Sequence, residues 1–218
     1  MSVRLESLQV SLDTEALFPP VNAQVEAGEL LVVMGASGCG KSSLLAAIAG
    51  SLTRELTAKG TITLAGERVE HLPMHLRGIG IQFQEDLLFP HLDVAGNLLF
   101  GLAAEKPTKS KAQRLELVAQ ALQSAGLAGY EKRDIATLSG GQKARISLLR
   151  SLLAKPKLLL LDEPFSRLDE ELRGAFRAFV FTQIKQLQIP AILVSHDRQD
   201  CPNPHFYGLE QGRMQGIA

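Results

Sequence analysis

Short runs without a polar residue mark the chain at Leu30 to Met34, Leu158 to Leu161 and Ala191 to Val194. Runs of that length fit strands buried on both faces of a sheet. Val3 to Leu12 alternates instead, with Val3, Leu5, Ser7 and Gln9 on one face and Arg4, Glu6, Leu8 and Val10 on the other. The alternation is imperfect, since each face mixes apolar and polar residues. Leu17 to Val25 offers a second strand, which Pro19 and Pro20 confine to an edge or a turn. Thr61 to Leu64, between Gly60 and Gly66, reads as an exposed strand. Helical stretches follow from Lys41 to Ala49, from Ser110 to Ala125, from Gly140 to Ala154 and from about Arg167 to Leu187. In the second of these, Leu115, Val118, Ala119 and Leu122 recur at helical spacing, Ser110 stands at the N-cap and Gly126 stops the helix. Strands alternating with helices predict an α/β fold with a mostly parallel sheet and an antiparallel β edge. Residues 1–89 and 156–218 are expected to form the core, and residues 90–155 a helical subdomain inserted in it.

Composition adds limits and no chemistry. Lys+Arg and Asp+Glu number 23 each, so the 218-residue chain has no net charge and lacks the electrostatic signature of a nucleic-acid binder. The longest apolar run, Leu44 to Ala49, is six residues, against the roughly 20 of a membrane-spanning helix. The N-terminus carries no basic segment followed by an apolar one, so no secretory signal is expected. Two cysteines, Cys39 and Cys201, make no disulfide framework and fit a reducing cytosol.

Chemistry enters with Gly35-Ala36-Ser37-Gly38-Cys39-Gly40-Lys41-Ser42, which fits G-x-x-x-x-G-K-[ST] between a buried strand and a helix. Glycines let successive backbone N–H groups turn inward on phosphate oxygens, and the helix N-terminus adds its positive partial charge. Lys41 would then reach the β- and γ-phosphates of a nucleotide, and the Ser42 hydroxyl would ligate Mg²⁺. Asp162 and Glu163 close the run Leu158 to Leu161 at a strand's C-terminal end, where open α/β sheets bind ligands. Asp162 suits the Mg²⁺ shell, and Glu163 suits a water aimed for in-line attack. Alone, that pair before Pro164 fits a solvated turn equally well; beside a phosphate loop it does not. Leu138-Ser139-Gly140-Gly141-Gln142 supplies a second helix N-terminus able to hold an anion. One nucleotide site needs no second cradle, whereas two chains placed head to tail do.

With these motifs the sequence resembles the ATP-binding subunits of ABC transporters over nearly its whole length, with the P-loop fold of that family. Phe83-Gln84 resembles the family's Q-loop, Ser166-Arg167-Leu168-Asp169 its D-loop, and Ser195-His196-Asp197 its switch-histidine loop. Leu88 to Val94 resembles the stretch that meets the permease in bacterial importers. The resemblance implies that ATP lies between residues 35–43 of one copy, Ser43 included, and Ser139 to Gln142 with Asp169 of the other. It implies that Gln84 touches the metal and the attacking water, that Glu163 orients or deprotonates that water, and that His196 contacts the γ-phosphate. Transmembrane permease subunits and, through them, a periplasmic solute-binding protein are the implied partners, at the cytoplasmic face of the inner membrane. Arg167 departs from the small residue usual in the D-loop, and Lys143 from the Gln or Arg that usually follows the signature. The Phe-Ser-Arg-Leu-Asp string resembles a subgroup of small-solute importers. Only 22 residues follow His196, which is too few for the C-terminal regulatory domain of sugar-importer relatives.

The rival reading is a soluble ABC-type ATPase acting in DNA maintenance or repair. Such proteins carry coiled coils or large insertions between the halves of the site, whereas here 55 positions separate Gln84 from Ser139. The adenine base lacks its usual aromatic partner: the position where the family stacks one falls at Leu12. Phe18 is the nearest aromatic residue, and it is expected to pack in the core. Cys39, at a helix N-terminus, is expected to have a lowered thiol pKa.

Overall fold

The computed structural model describes residues 1–102, 110–202 and 205–216. These residues fall into two compact units. The first comprises residues 1–81, 157–163 and 181–218, and the second residues 82–156 and 164–180. Residues 103–109 of the expected helical insertion lie outside the described residues.

In the first unit the polar and apolar patterning resolves into two sheets. The six-stranded sheet runs β11 (Arg213–Gly216), β10 (His205–Gly208), β4 (Leu30–Met34), β9 (Ala191–Ser195), β8 (Leu158–Asp162), β7 (Ile79–Gln82). β10, β4, β9 and β8 pair in parallel, so the mostly parallel sheet is present. Leu158 to Leu161 and Ala191 to Val194 have no exposed surface, as their unbroken apolar character requires. The antiparallel part is a sheet of its own: β2 (Glu15–Ala16), β1 (Val3–Leu12), β5 (Leu56–Leu64) and β6 (Glu67–Arg68), with β3 (Val21–Val25) also on β1. Helix α1 (Lys41–Ala49) adds Leu44 and Ile48 to the apolar cluster that joins residues of both sheets.

Two expectations are corrected here. The register of β1 slips between Leu5 and Leu8, where Ser7 takes a φ of 50°. This bulge inverts the alternation, so that Val3, Leu5, Leu8 and Val10 all point into the core. Opposite it, Gly60 has a φ of 113°, and a Cβ there would lie 2.5 Å from Ser7 O. β5 accordingly starts at Leu56, runs through Gly60, and buries Ile62 and Leu64 instead of exposing them.

The second unit is built on α2 (Val94–Leu102), α3 (Lys111–Ser124) and α4 (Gly140–Leu153), with the N-terminal part of α5 (Glu170–Leu187). α3 begins in a capping box in which Ser110 and Gln113 exchange side-chain and backbone hydrogen bonds. Val118 and Leu122 are buried, but Leu115 and Ala119 face outward; Leu117, Ala121 and Ala125 complete the apolar contact instead. α2, a helix not expected from the sequence, crosses α4 closely enough that a Cβ on Gly101 would lie 2.2 Å from Arg150 O. Among the described residues no helix is long and apolar enough to cross a membrane.

Candidate functional site

β4 is buried on both faces and ends at Met34, and the Gly-rich loop departs from it. Gly38 and Gly40 have φ values of 84° and 94°, so the loop turns through conformations that favour glycine. Gly40 also caps α1 without a side-chain hydrogen bond, leaving the helix's first N–H groups for an anion. A Cβ on Gly40 would lie 2.7 Å from Phe18, and one on Gly35 would lie 2.5 Å from Cys39 Sγ. Bulk at either position would distort the loop. Ala36, Ser37, Gly38 and Ser42 are exposed, and Ser43 is half-buried behind them.

Lys41 is buried and folds back over the loop, its Nζ donating to Gly35 O at 2.9 Å and Ala36 O at 3.0 Å. The same ammonium stands 3.8 Å from Glu163 Oε1. Glu163 follows β8 with a φ of 45°, uncommon outside glycine, and donates its N–H to Val194 O at 3.1 Å. Its other carboxylate oxygen is 3.1 Å from His196 Nδ1. Glu163 thus lies between an ammonium and an imidazole at the mouth of an anion cradle. That placement lets it take a proton from a water aligned with a bound phosphate.

Ser42 Oγ donates to Asp162 Oδ1 at 3.2 Å. Burial pushes the Asp162 carboxyl above its ordinary range, with Ser42 pulling it back and the neighbouring Glu163 adding to the rise. A hydroxyl and a carboxylate side by side fit Mg²⁺, which takes one or two protein oxygens and completes its octahedron with water and phosphate.

Residues 35–43, Asp162, Glu163 and His196 are therefore brought together in the first unit. Gln84, Ser139, Gly140, Gly141, Gln142 and Asp169 belong to the second unit. There, Ser139 caps α4 by a capping box with Gln142, leaving Ser139 and Gly140 exposed. A Cβ on Gly141 would lie 3.4 Å from Leu172, and Asp169 Oδ1 accepts the Leu172 N–H at 2.9 Å, capping α5. Gln84 is exposed. The unusual Arg167 donates to Glu85 at 2.9 Å, one residue past Gln84.

The site corrects one sequence expectation and adds residues that motifs did not reveal. Burial pushes the Cys39 thiol up, and nearby Lys41 only partly offsets it, so the helix N-terminus does not leave an activated thiol. Phe18 is buried and Leu12 is 45% exposed. Asn97, wholly buried, accepts from Phe89 N and donates to the carbonyls of Phe89, Leu92 and Asp93, fixing the loop after Gln84. Its signal was an isolated amide inside an apolar helix. Glu210, in the turn between β10 and β11, accepts the Ala36 N–H at 3.3 Å. No local pattern points to it.

A family model described as ABC transporter matches residues 18–166. The uncharacterized ABC transporter ATP-binding protein YnjD of Escherichia coli (strain K12) is 46% identical over 91% of this chain and 90% of that one. The spermidine/putrescine import ATP-binding protein PotA of Acetivibrio thermocellus is 37% identical over 91% of this chain and 55% of its own. The sulfate/thiosulfate import ATP-binding protein CysA of Nephroselmis olivacea is 38% identical over 100% and 63%. The chain thus spans a little over half the length of the latter two. Among solved structures, a dimeric post-hydrolysis state of the ATP-binding cassette MJ0796 bound to ADP and Pi shares the fold. The TM-score is 0.80 at 23% identity, over 99% of both chains.

Proposed function

Because the chain belongs to the ABC transporter family, we propose that it is the ATP-hydrolysing, energy-coupling subunit of a bacterial small-solute importer. Two copies pair head to tail and close on ATP, each presenting residues 35–43 to Ser139–Gln142 and Asp169 of the other. The pair sits on permease subunits at the cytoplasmic face of the inner membrane, and a periplasmic solute-binding protein delivers the solute. The relatives named for import of polyamines and of sulfate support the direction of transport.

The observation that carries the proposal is Glu163 held between Lys41 and His196 beside the Gly-rich loop. Backbone N–H groups of residues 37–43 bind the phosphates, and Lys41 exchanges its loop carbonyls for phosphate oxygens. Ser42 and Asp162 would hold Mg²⁺, with Gln84 as the further ligand that the family resemblance implies, and the ion would supply charge neutralisation at the phosphate oxygens. Glu163 takes a proton from the attacking water, and His196 steadies the γ-phosphate. Catalysis then comes from positioning and charge stabilisation, which is why two copies are required. The helical subdomain, residues 90–155, passes opening and closing to the permease. The loop after Gln84, with Phe89 packed edge-on to the exposed Phe100, supplies an apolar contact for it.

Glu163→Gln tests the reading. It keeps the shape and removes the base, so turnover should fall by about 10²–10⁴-fold while ATP binding persists. In Mg-ATP the variant should elute as a dimer from a size-exclusion column. Wild-type turnover, or a monomer at saturating ATP, would refute the role.

A further inference from the structure

We propose that Ser195 and Asp200 are positioning residues for His196, setting the backbone from which its ring reaches Glu163. The inference rests on the reading of His196 given above. β9 is apolar and buried until its last residue, where Ser195 is 2% exposed. Asp200, at the end of the 3-10 turn Arg198–Asp200, is 4% exposed. A carboxylate so buried loses its hydration and needs strong hydrogen bonds in return. Ser195 Oγ donates one to Asp200 Oδ2 at 2.7 Å, the short length of a charge-assisted bond.

That bond uses the hydroxyl's single proton and leaves its lone pairs free. One of them accepts the Asp197 N–H at 3.0 Å. The residues on either side of His196 are thereby tied to each other and to a buried carboxylate. Asp197 is fixed again by its own turn: its Oδ1 accepts from Gln199 N at 2.9 Å, and its carbonyl accepts from Asp200 N at 3.2 Å. His196 is exposed within this braced segment. Its side chain is 53% exposed, so packing does little to hold the ring. The direction of the ring comes from the backbone, and Ser195 and Asp200 hold that backbone. Removing the Ser195 hydroxyl frees the Asp197 amide and lets the ring leave its 3.1 Å separation from Glu163.

The test is a cycle of Ser195→Ala, Asp200→Asn and His196→Ala, each with thermal unfolding and steady-state ATP hydrolysis. Ser195→Ala and Asp200→Asn should each lower kcat about tenfold with KM for ATP unchanged, within the roughly hundredfold that a 1 Å displacement can cost. Combined with His196→Ala, Ser195→Ala should give no further loss. An equal loss with and without His196, in proteins of unchanged unfolding temperature, would overturn the inference by showing that the serine acts elsewhere. If His196→Ala lowers kcat but neither other variant does, positioning fails and the site reading stands. If His196→Ala hydrolyses ATP at the wild-type rate, the reading of His196 fails, and the inference falls with it. Should Asp200→Asn not fold, Ser195→Ala alone decides, because it removes one oxygen and leaves the buried carboxylate in place.

Discussion

Arg77 gives a sharp quantitative prediction, because its guanidinium holds the end of the helix that carries the phosphate loop. It is buried, and its Nε and Nη groups donate to Leu72 O, Ala47 O, Ile48 O and Glu70 O at 2.7–2.8 Å. Two of those carbonyls belong to the last turn of α1, the negative end of its dipole. The guanidinium also lies against Gly50, where a Cβ would be 2.6 Å from Nε. Burial draws the Arg77 pKa down and Glu70 partly restores it. Hydrogen bonds from a charged donor contribute about 1.5–3 kcal/mol each, so four suggest a gross loss of about 6–12 kcal/mol. Returning the guanidinium's several-kcal/mol desolvation cost brings the net loss in Arg77→Ala to about 3–5 kcal/mol. Gly50 N still serves Ala47 O at 3.3 Å, which favours the lower end. At a urea slope of about 3 kcal/mol/M, the urea midpoint should fall by about 1–1.7 M. Arg77→Lys should fall part of the way, since one ammonium cannot reach all four carbonyls. The assay is urea unfolding followed by far-UV circular dichroism. A shift in Arg77→Ala below about 0.3 M would mean that these carbonyls find water instead, and the reasoning would fail.

Cys39 should alkylate more slowly than a free cysteine at pH 7–8. Its raised pKa keeps the thiol protonated there, so the rate should climb only as pH passes above the ordinary value; faster labelling than a cysteine peptide at pH 7 would refute this. ATP should slow the labelling, and Cys39→Ala should resist inactivation. Gly101→Ala should destabilise by about 1–3 kcal/mol in urea, because a Cβ 2.2 Å from Arg150 O forces two helices apart. That exceeds the roughly 1 kcal/mol that alanine adds to helix propensity, so any net stabilisation would contradict the packing. Leu12→Tyr, at an exposed position, should tighten ATP and GTP together by about two- to tenfold through base stacking. Equilibrium titration checks this, and unchanged affinity for both would place the base elsewhere. Phe18→Ala should instead lower the unfolding temperature, since Phe18 is buried against Gly40.

Much of the site was legible because its parts are consecutive residues. The Gly-rich loop, the apolar run ending in Asp162-Glu163 and the Ser-Gly-Gly-Gln cap each carry their chemistry inside a window of fewer than about ten residues. Their convergence was not legible in the same way. Ser42 and Asp162 meet across 120 positions, and His196 reaches Glu163 across 33; composition and periodicity carry no term for such distances. The resemblance to a family bridged that gap by order and spacing of motifs. It could not bridge it for residues outside any motif, such as Arg77, Asn97 or Glu210.

By itself the sequence determined the elements whose stability is local. The short apolar runs Leu158 to Leu161 and Ala191 to Val194 form strands covered on both faces, whereas the longer run Leu44 to Ala49 lies in α1, and a serine three residues before a glutamine starts a helix at Ser110 and again at Ser139. Tertiary structure decided the rest. The phase of β1 inverts at Ser7, because its partner strand and the core beneath it select which residues face inward. The side of α3 that is buried depends on the helices it meets, which is why Leu115 faces water and Leu117 does not. Arg77 is tied to α1 across 29 and 30 positions, and Asp200 is buried where its carboxylate meets Ser195 at the end of β9. A helix cap is satisfied by neighbours in the chain, whereas burial and the long-range hydrogen bonds of Ser42, Arg77 and His196 depend on what the whole fold brings alongside.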